Sequence, residues 1–273
     1  MLYQTFSLSE KYSDASLTTY VCDHEPVTSP RPAVIVCPGG GYGNLSPREA
    51  EPIVRRFFAE EMNVYLLKYS VGEGARDYAP LIEASLAVKL VRERAAEDNT
   101  NPDKIYILGF SAGGHLAAST GILWNIPEVR DAVGVTSGDA PEGINRPSGM
   151  ILCYPVITAG EYTHLGSIKR VSGHEQPTDE DIEKFSLERH VDSTTPPAFI
   201  WHTFTDVTVP VQNSLFLMNA FAEAKVPFES HIYPEGPHGL SLGTEETAEG
   251  RSNLINPHIT SWASLAVKWI KDF

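Results

Sequence analysis

The sequence predicts an α/β fold: a mostly parallel central sheet with helices on both faces. Three observations carry that expectation. Strand-like runs alternate with helical patterns along most of the 273 residues. Ala33-Val34-Ile35-Val36-Cys37 is apolar at every position, as expected of a strand buried on both faces of a parallel sheet. Lys104-Ile105-Tyr106-Ile107-Leu108 then runs through a sharp turn, Gly109-Phe110-Ser111-Ala112-Gly113, into the helical pattern that begins at His115.

The elements follow in order. Residues 3–8 and 16–22 read as two edge strands ahead of the alternating units. After the strand 33–37 comes a helix over 47–61, with Ser46 as N-cap and Pro47 at its first position. Residues 63–69 form the next strand and 79–97 a long helix, followed by the strand 105–108 that leads to Ser111. Strands at 150–154, 198–202 and 228–233 complete the sheet, and a helix over 257–272 closes it. Residues 158–197 break the rhythm, with no strand signal and a polar helix-like piece around 179–190. Such an excursion is either a lid or pocket wall, or a surface insertion with no role. No repeat or low-complexity linker interrupts the chain, so residues 1–273 are expected to form one domain.

Charge narrows the function classes. The chain has 35 Asp and Glu against 21 Lys and Arg, a formal charge of −14, which argues against nucleic acid or an anionic membrane as partner. Cys22, Cys37 and Cys153 are odd in number and widely spaced, so neither a disulfide framework nor a metal-ligand pair is expected. Met1-Leu2-Tyr3-Gln4-Thr5-Phe6 has no basic start leading into an apolar run, and no 18-residue apolar stretch follows. A cytoplasmic location is the expectation.

Gly109-Phe110-Ser111-Ala112-Gly113 matches G-x-S-x-G, the pattern that lifts a serine hydroxyl onto a strand-to-helix turn. A serine hydroxyl is a poor nucleophile at neutral pH. It needs a base for its proton, an acid to orient that base, and donors for the developing oxyanion. Where this turn occurs, the acid and then the base follow the serine along the chain, on loops after later strands. Asp206 lies just past the strand 198–202, and His238 just past the strand 228–233, so both project onto the edge that carries Ser111. His115, His190 and His258 read as structural, and His202 and His231 as strand residues that bond locally. Asp139, in a Gly-rich loop, is a pocket residue or a reserve acid. Pro38-Gly39-Gly40-Gly41-Tyr42-Gly43 directly follows the strand 33–37, where consecutive N–H groups can converge on an oxyanion. Ala112, next to the serine at a helix start, supplies a further donor. Tyr42, Phe110 and Tyr154 are candidate pocket residues, with core packing as the competing reading. Arg48 and Glu49 read as solvated charges at a helix start, with contact to a polar substrate as the alternative.

Four segments together resemble the α/β-hydrolase esterases, in the branch of bacterial acetyl esterases and hormone-sensitive-lipase-like carboxylesterases. They are Pro38-Gly39-Gly40-Gly41-Tyr42, Gly109-Phe110-Ser111-Ala112-Gly113-Gly114-His115, Asp206-Val207-Thr208-Val209-Pro210 and Gly236-Pro237-His238-Gly239-Leu240. The resemblance runs from about residue 15 to the closing helix. It implies the α/β-hydrolase fold, Ser111 as nucleophile with Asp206 and His238, and Gly40, Gly41 and Ala112 as oxyanion donors. It also implies short acyl esters as substrates, acetylated carbohydrate among them, and no metal or organic cofactor. Pro38 departs from the His that precedes the three glycines in many members, and the long N-terminal cap of hormone-sensitive-lipase relatives is missing. Peptidase or lactonase chemistry uses the same three residues and stays open, as does a catalytically silent ligand receptor. A homodimer is the assembly that base rates favour.

Overall fold

The computed structural model describes residues 1–8, 15–23 and 29–272. Among these, eight strands form one sheet in the order β1-β2-β4-β3-β5-β6-β7-β8. β1 (Leu2–Ser7), β2 (Ser16–Val21) and β4 (Asn63–Lys68) pair antiparallel in succession. β3 (Arg31–Cys37) pairs parallel with β4 and with β5 (Thr100–Phe110). From β5 the parallel array continues through β6 (Gly149–Cys153), β7 (Ala198–Thr203) and β8 (Phe228–Tyr233).

Alternation along each strand sends neighbouring residues to opposite faces. One face collects Ile35, Ile107, Leu152 and Ile200 beneath Leu81, Val88 and Val91 of α2 (Ala79–Glu93) and Leu116 of α3 (Ala112–Ile122). The other collects Val36, Leu108, Ile151 and Trp201 beneath Ile53 and Phe57 of α1 (Glu51–Phe58) and Trp262 and Ile270 of the closing helix (Ser261–Asp272). The apolar run at 33–37 therefore has a physical reason: both of its faces are core. Among the described residues no helix is long and apolar enough to cross a membrane.

The expected helix over 47–61 is broken. Pro47–Glu49 makes one 3-10 turn, Ala50 leaves helical geometry at φ −105° and ψ −106°, and α1 restarts at Glu51. Pro52 is the cause. It has no N–H to give the Arg48 carbonyl, and in a continuous helix its ring would clash with that carbonyl. The freed Arg48 carbonyl accepts instead from Ser241 Oγ at 2.8 Å. Ser46 makes no side-chain cap. The 79–97 helix ends early, at Glu93.

The excursion 158–197 is a packed layer. Beyond α4 (Pro127–Ala132) it holds α5 (Leu165–Ser172) and α6 (Asp179–Phe185), the latter opened by a capping box between Thr178 and Asp181. Phe185 and Leu187 bury against the core.

The turn at Ser111 rests on two glycines with no room for a side chain. A Cβ on Gly109 would stand 1.9 Å from the Gly113 carbonyl oxygen, and one on Gly113 would stand 2.2 Å from that of Cys37. Both obstacles are backbone, which cannot swing away. Gly109→Ala is expected to cost more than about 3 kcal/mol. Urea denaturation checks this, and a cost below about 1 kcal/mol would mean that strand and helix can separate at the turn.

Candidate active site

Three loops at the carboxyl edge of the parallel strands bring the sequence candidates together. Ser111 joins β5 to α3 at φ 54° and ψ −116°, a backbone few side-chain-bearing residues adopt, and this lifts its hydroxyl out of the turn. Its N–H donates to the Cys153 carbonyl at 3.0 Å, so the neighbouring strand β6 holds the strained residue in place.

His238, past β8, has Nε2 at 2.8 Å from Ser111 Oγ and Nδ1 at 2.6 Å from Asp206 Oδ2. An ionised carboxylate cannot donate, so Nδ1 carries the proton and Nε2 is left to accept from the serine hydroxyl. Asp206, past β7, is fully buried at its side chain. Its Oδ1 accepts from the N–H groups of Thr208 (2.9 Å) and Val209 (3.0 Å). Burial alone would raise its pKa. Hydrogen bonds from His202 and His238, then the charge His238 can carry and the Val209 N–H, reverse this and hold the carboxyl well below the usual carboxylate range.

The glycine loop after β3 faces the same cleft. Gly40 and Gly41 take φ +128° and +61°, and a Cβ on Gly40 would stand 2.0 Å from the Asn44 carbonyl oxygen. The Gly39 N–H turns inward to Glu49, whereas neither Gly40 nor Gly41 has a protein acceptor for its N–H among the described residues. Ala112 is the first residue of α3, where helix geometry leaves the N–H without an intrahelical partner. Gly40, Gly41 and Ser111 border an open cleft, whose lining also includes Asn44, Arg48, Glu49, His164, Thr208, Glu249 and Arg251. Burial, helped by His238 and Arg170, lowers the pKa of His164, so its imidazole is neutral at pH 7.

Residues 20–221 match the family model BD-FAE. The chain belongs to the BD-FAE family. Among relatives, an endo-1,4-β-xylanase B of Butyrivibrio fibrisolvens is 38% identical over 230 residues, 81% of this chain and 34% of that protein. An acetylxylan esterase of Xylanibacter ruminicola is 32% identical over 217 residues, 78% of this chain and 42% of that protein. This chain thus spans only about a third to two fifths of those two proteins. Among solved structures, an acetyl ester-xyloside bifunctional hydrolase from Caldicellulosiruptor lactoaceticus superposes with a TM-score of 0.78 at 34% identity, covering 94% of this chain and 88% of that one. The architecture is the α/β-hydrolase fold expected from the sequence.

Within this BD-FAE member, three pocket candidates lie elsewhere. Phe110 is fully buried, packed on Tyr154 and Trp262, because strand alternation turns it into the core. Tyr154 is 2% exposed and lies beneath His238, its ring T-shaped to the imidazole at 5.0 Å. Tyr42 turns away from the cleft, and its hydroxyl lies 2.9 Å from His115 Nδ1. His115 Nε2 donates to the Phe185 carbonyl at 3.2 Å, and burial pushes that imidazole down to about 4, so it is a neutral packing residue. Asp139 sits outside the cleft and accepts from Ser137 Oγ at 2.6 Å.

Arg48 and Glu49 are not solvated helix-start charges. Arg48 donates to the carbonyls of Gly239 and Thr247, both at 2.8 Å, and so pins the loop that carries His238. Glu49 is 3% exposed. Nothing in the sequence marks the role of Arg48, because both of its partners lie far along the chain. His202 is also closer to the site than its strand position implies. Its Nε2 donates to the Val209 carbonyl at 2.9 Å and lies 3.4 Å from Asp206 Oδ2, while Nδ1 accepts from Ser214 Oγ. The segment 158–197 meets the cleft through His164, and Arg170 of α5 donates to the Gly41 carbonyl at 3.1 Å.

Proposed function

We propose that this chain is a serine carboxylesterase that hydrolyses short-chain acyl esters through Ser111, His238 and Asp206. One observation carries the reading: the unbroken line from Ser111 Oγ through both imidazole nitrogens to a buried carboxylate, opening on a cleft where the Gly40 and Gly41 N–H groups have no protein acceptor among the described residues. His238 takes the Ser111 proton as Oγ attacks the ester carbonyl carbon. The N–H groups of Gly40, Gly41 and Ala112 receive the oxyanion, and Asp206 favours the imidazolium that forms. The imidazolium returns its proton to the leaving alcohol. Water, deprotonated by His238, then attacks the acyl carbon; the bond to Oγ breaks, the acid leaves, and His238 returns the proton to Ser111 Oγ.

Acetylated carbohydrate is the substrate class this reading favours. The cleft rim offers the amide of Asn44, the hydroxyl of Thr208, the neutral imidazole of His164 and the guanidinium of Arg251, groups suited to hydroxyl-rich alcohols. The acetylxylan esterase and the acetyl ester-xyloside hydrolase among the relatives point the same way.

The test is hydrolysis of p-nitrophenyl acetate, butyrate and octanoate, with acetylated xylose beside them. The expected result is strong acetate turnover that falls with chain length, together with acetate release from the sugar. Octanoate turned over faster than acetate would overturn the short-acyl assignment. Inertness toward every ester, with labelling by a fluorophosphonate probe retained, would shift the assignment to a peptidase or lactonase. Inertness to the probe as well would leave a ligand-binding role.

A further inference from the structure

We propose that Glu49 is a positioning residue that sets the oxyanion loop and the His238 imidazole together, through Gly39 on one side and Tyr154 on the other. The proposal rests on the esterase reading and adds to it a residue at the base of the cleft that acts through its two hydrogen-bond donors.

Glu49 Oε2 accepts the Gly39 N–H at 2.9 Å, and Oε1 accepts the Tyr154 hydroxyl at 2.6 Å. Among the described residues no cation pairs with this buried carboxylate, since the adjacent guanidinium of Arg48 reaches away to Gly239 and Thr247. A buried carboxyl group without a counter-ion needs hydrogen-bond partners, and two donors from opposite sides are what hold this one.

Each donor governs one half of the reaction machinery. Drawing the Gly39 amide inward leaves the next two amides, those of Gly40 and Gly41, for the cleft. The contact is close: a Cβ on Gly39 would stand 2.6 Å from Glu49 Oε2 and 3.3 Å from Ser111 Cβ. On the other side, the Tyr154 hydroxyl donates to Glu49 and accepts the Ser241 N–H at 3.0 Å, which fixes the ring under His238. Tyr154 itself sits at φ +38°, a strained backbone for a residue with a bulky side chain. Burial and the Glu49 charge keep its phenol protonated, so it remains a donor.

Glu49→Gln preserves size but gives each side of the group a different character. Its single amide oxygen serves only one of the two donors, and its NH₂ confronts the other. Turnover of p-nitrophenyl acetate should be normalised to serines counted by end-point fluorophosphonate labelling, so that misfolded molecules drop out. The expected result is a fall in kcat per reactive serine of about 10–100-fold, with KM within about twofold. Tyr154→Phe should lower kcat less, and the double variant should fall no further than Glu49→Gln alone, because both act through one carboxylate.

A kcat per reactive serine within about twofold of wild type would overturn the role. Should Glu49→Gln not fold, Tyr154→Phe decides by the same criterion. A wild type inert to both esters and probe would overturn the esterase reading and this role with it. An active wild type with unaffected variants would overturn the role alone.

Discussion

Ser111→Ala is expected to lower kcat by about 10⁴–10⁶-fold and to abolish fluorophosphonate labelling, while the fold stays intact. The retained fold follows from how Ser111 is held. Its N–H donates to Cys153, and its carbonyl accepts from His115 (3.0 Å) and Val156 (3.1 Å), all through backbone atoms that alanine keeps. Alanine also retains the Cβ, so the strain at φ 54° is unchanged. The side chain loses one hydrogen bond, to a His238 that stays bonded to Asp206. The melting temperature should therefore shift by no more than about 4–5 °C, the equivalent of roughly 1–2 kcal/mol in a chain of this size. Residual activity above a tenth of wild type would remove Ser111 from the nucleophile role. A collapse of the melting temperature would instead mean that the hydroxyl supports the turn.

The parts of this arrangement that were legible in the sequence are those written in local chemistry. The run 33–37 announces a doubly buried strand because every residue in it must be apolar. Gly109 and Gly113 announce the turn because no side chain fits beside the neighbouring backbone. Asp206 and His238 could be selected because strand ends in a parallel sheet put their loops on one edge. What stayed hidden depends on pairings across the chain. Glu49 and Tyr154 are 105 residues apart, and no composition or period connects them. The helix Gln212–Ala224 lacks the usual announcement, since Val211 precedes it without a side-chain cap and Lys225 ends it in left-handed geometry. The broken helix at 47–61 shows a local signal overridden by another: Pro47 favours a helix start, and Pro52 forces a second one.

Asp206→Asn is expected to lower kcat by about 10⁴-fold with little effect on KM. The reason lies in which atoms donate. The asparagine carbonyl can keep the Thr208 and Val209 N–H bonds that now reach Oδ1. Its NH₂ then takes the place of Oδ2 and faces His238 Nδ1, donor against donor. The imidazole relieves the clash by moving its proton to Nε2, where it points at Ser111 and can no longer accept from it. The same substitution changes how stability depends on pH. Because the native carboxyl is held well below the usual range, its contribution is fully present above its unfolded value of about 3.9 and is lost as pH falls through the depressed native value. Asparagine does not titrate. The stability gap between wild type and Asp206→Asn should thus be widest near pH 7 and narrow below about pH 4, measured by urea denaturation at both. A gap that stays constant across that range would mean that the buried carboxyl is not ionised in the native protein. A kcat that survives the substitution would mean that His238 holds its productive tautomer without Asp206.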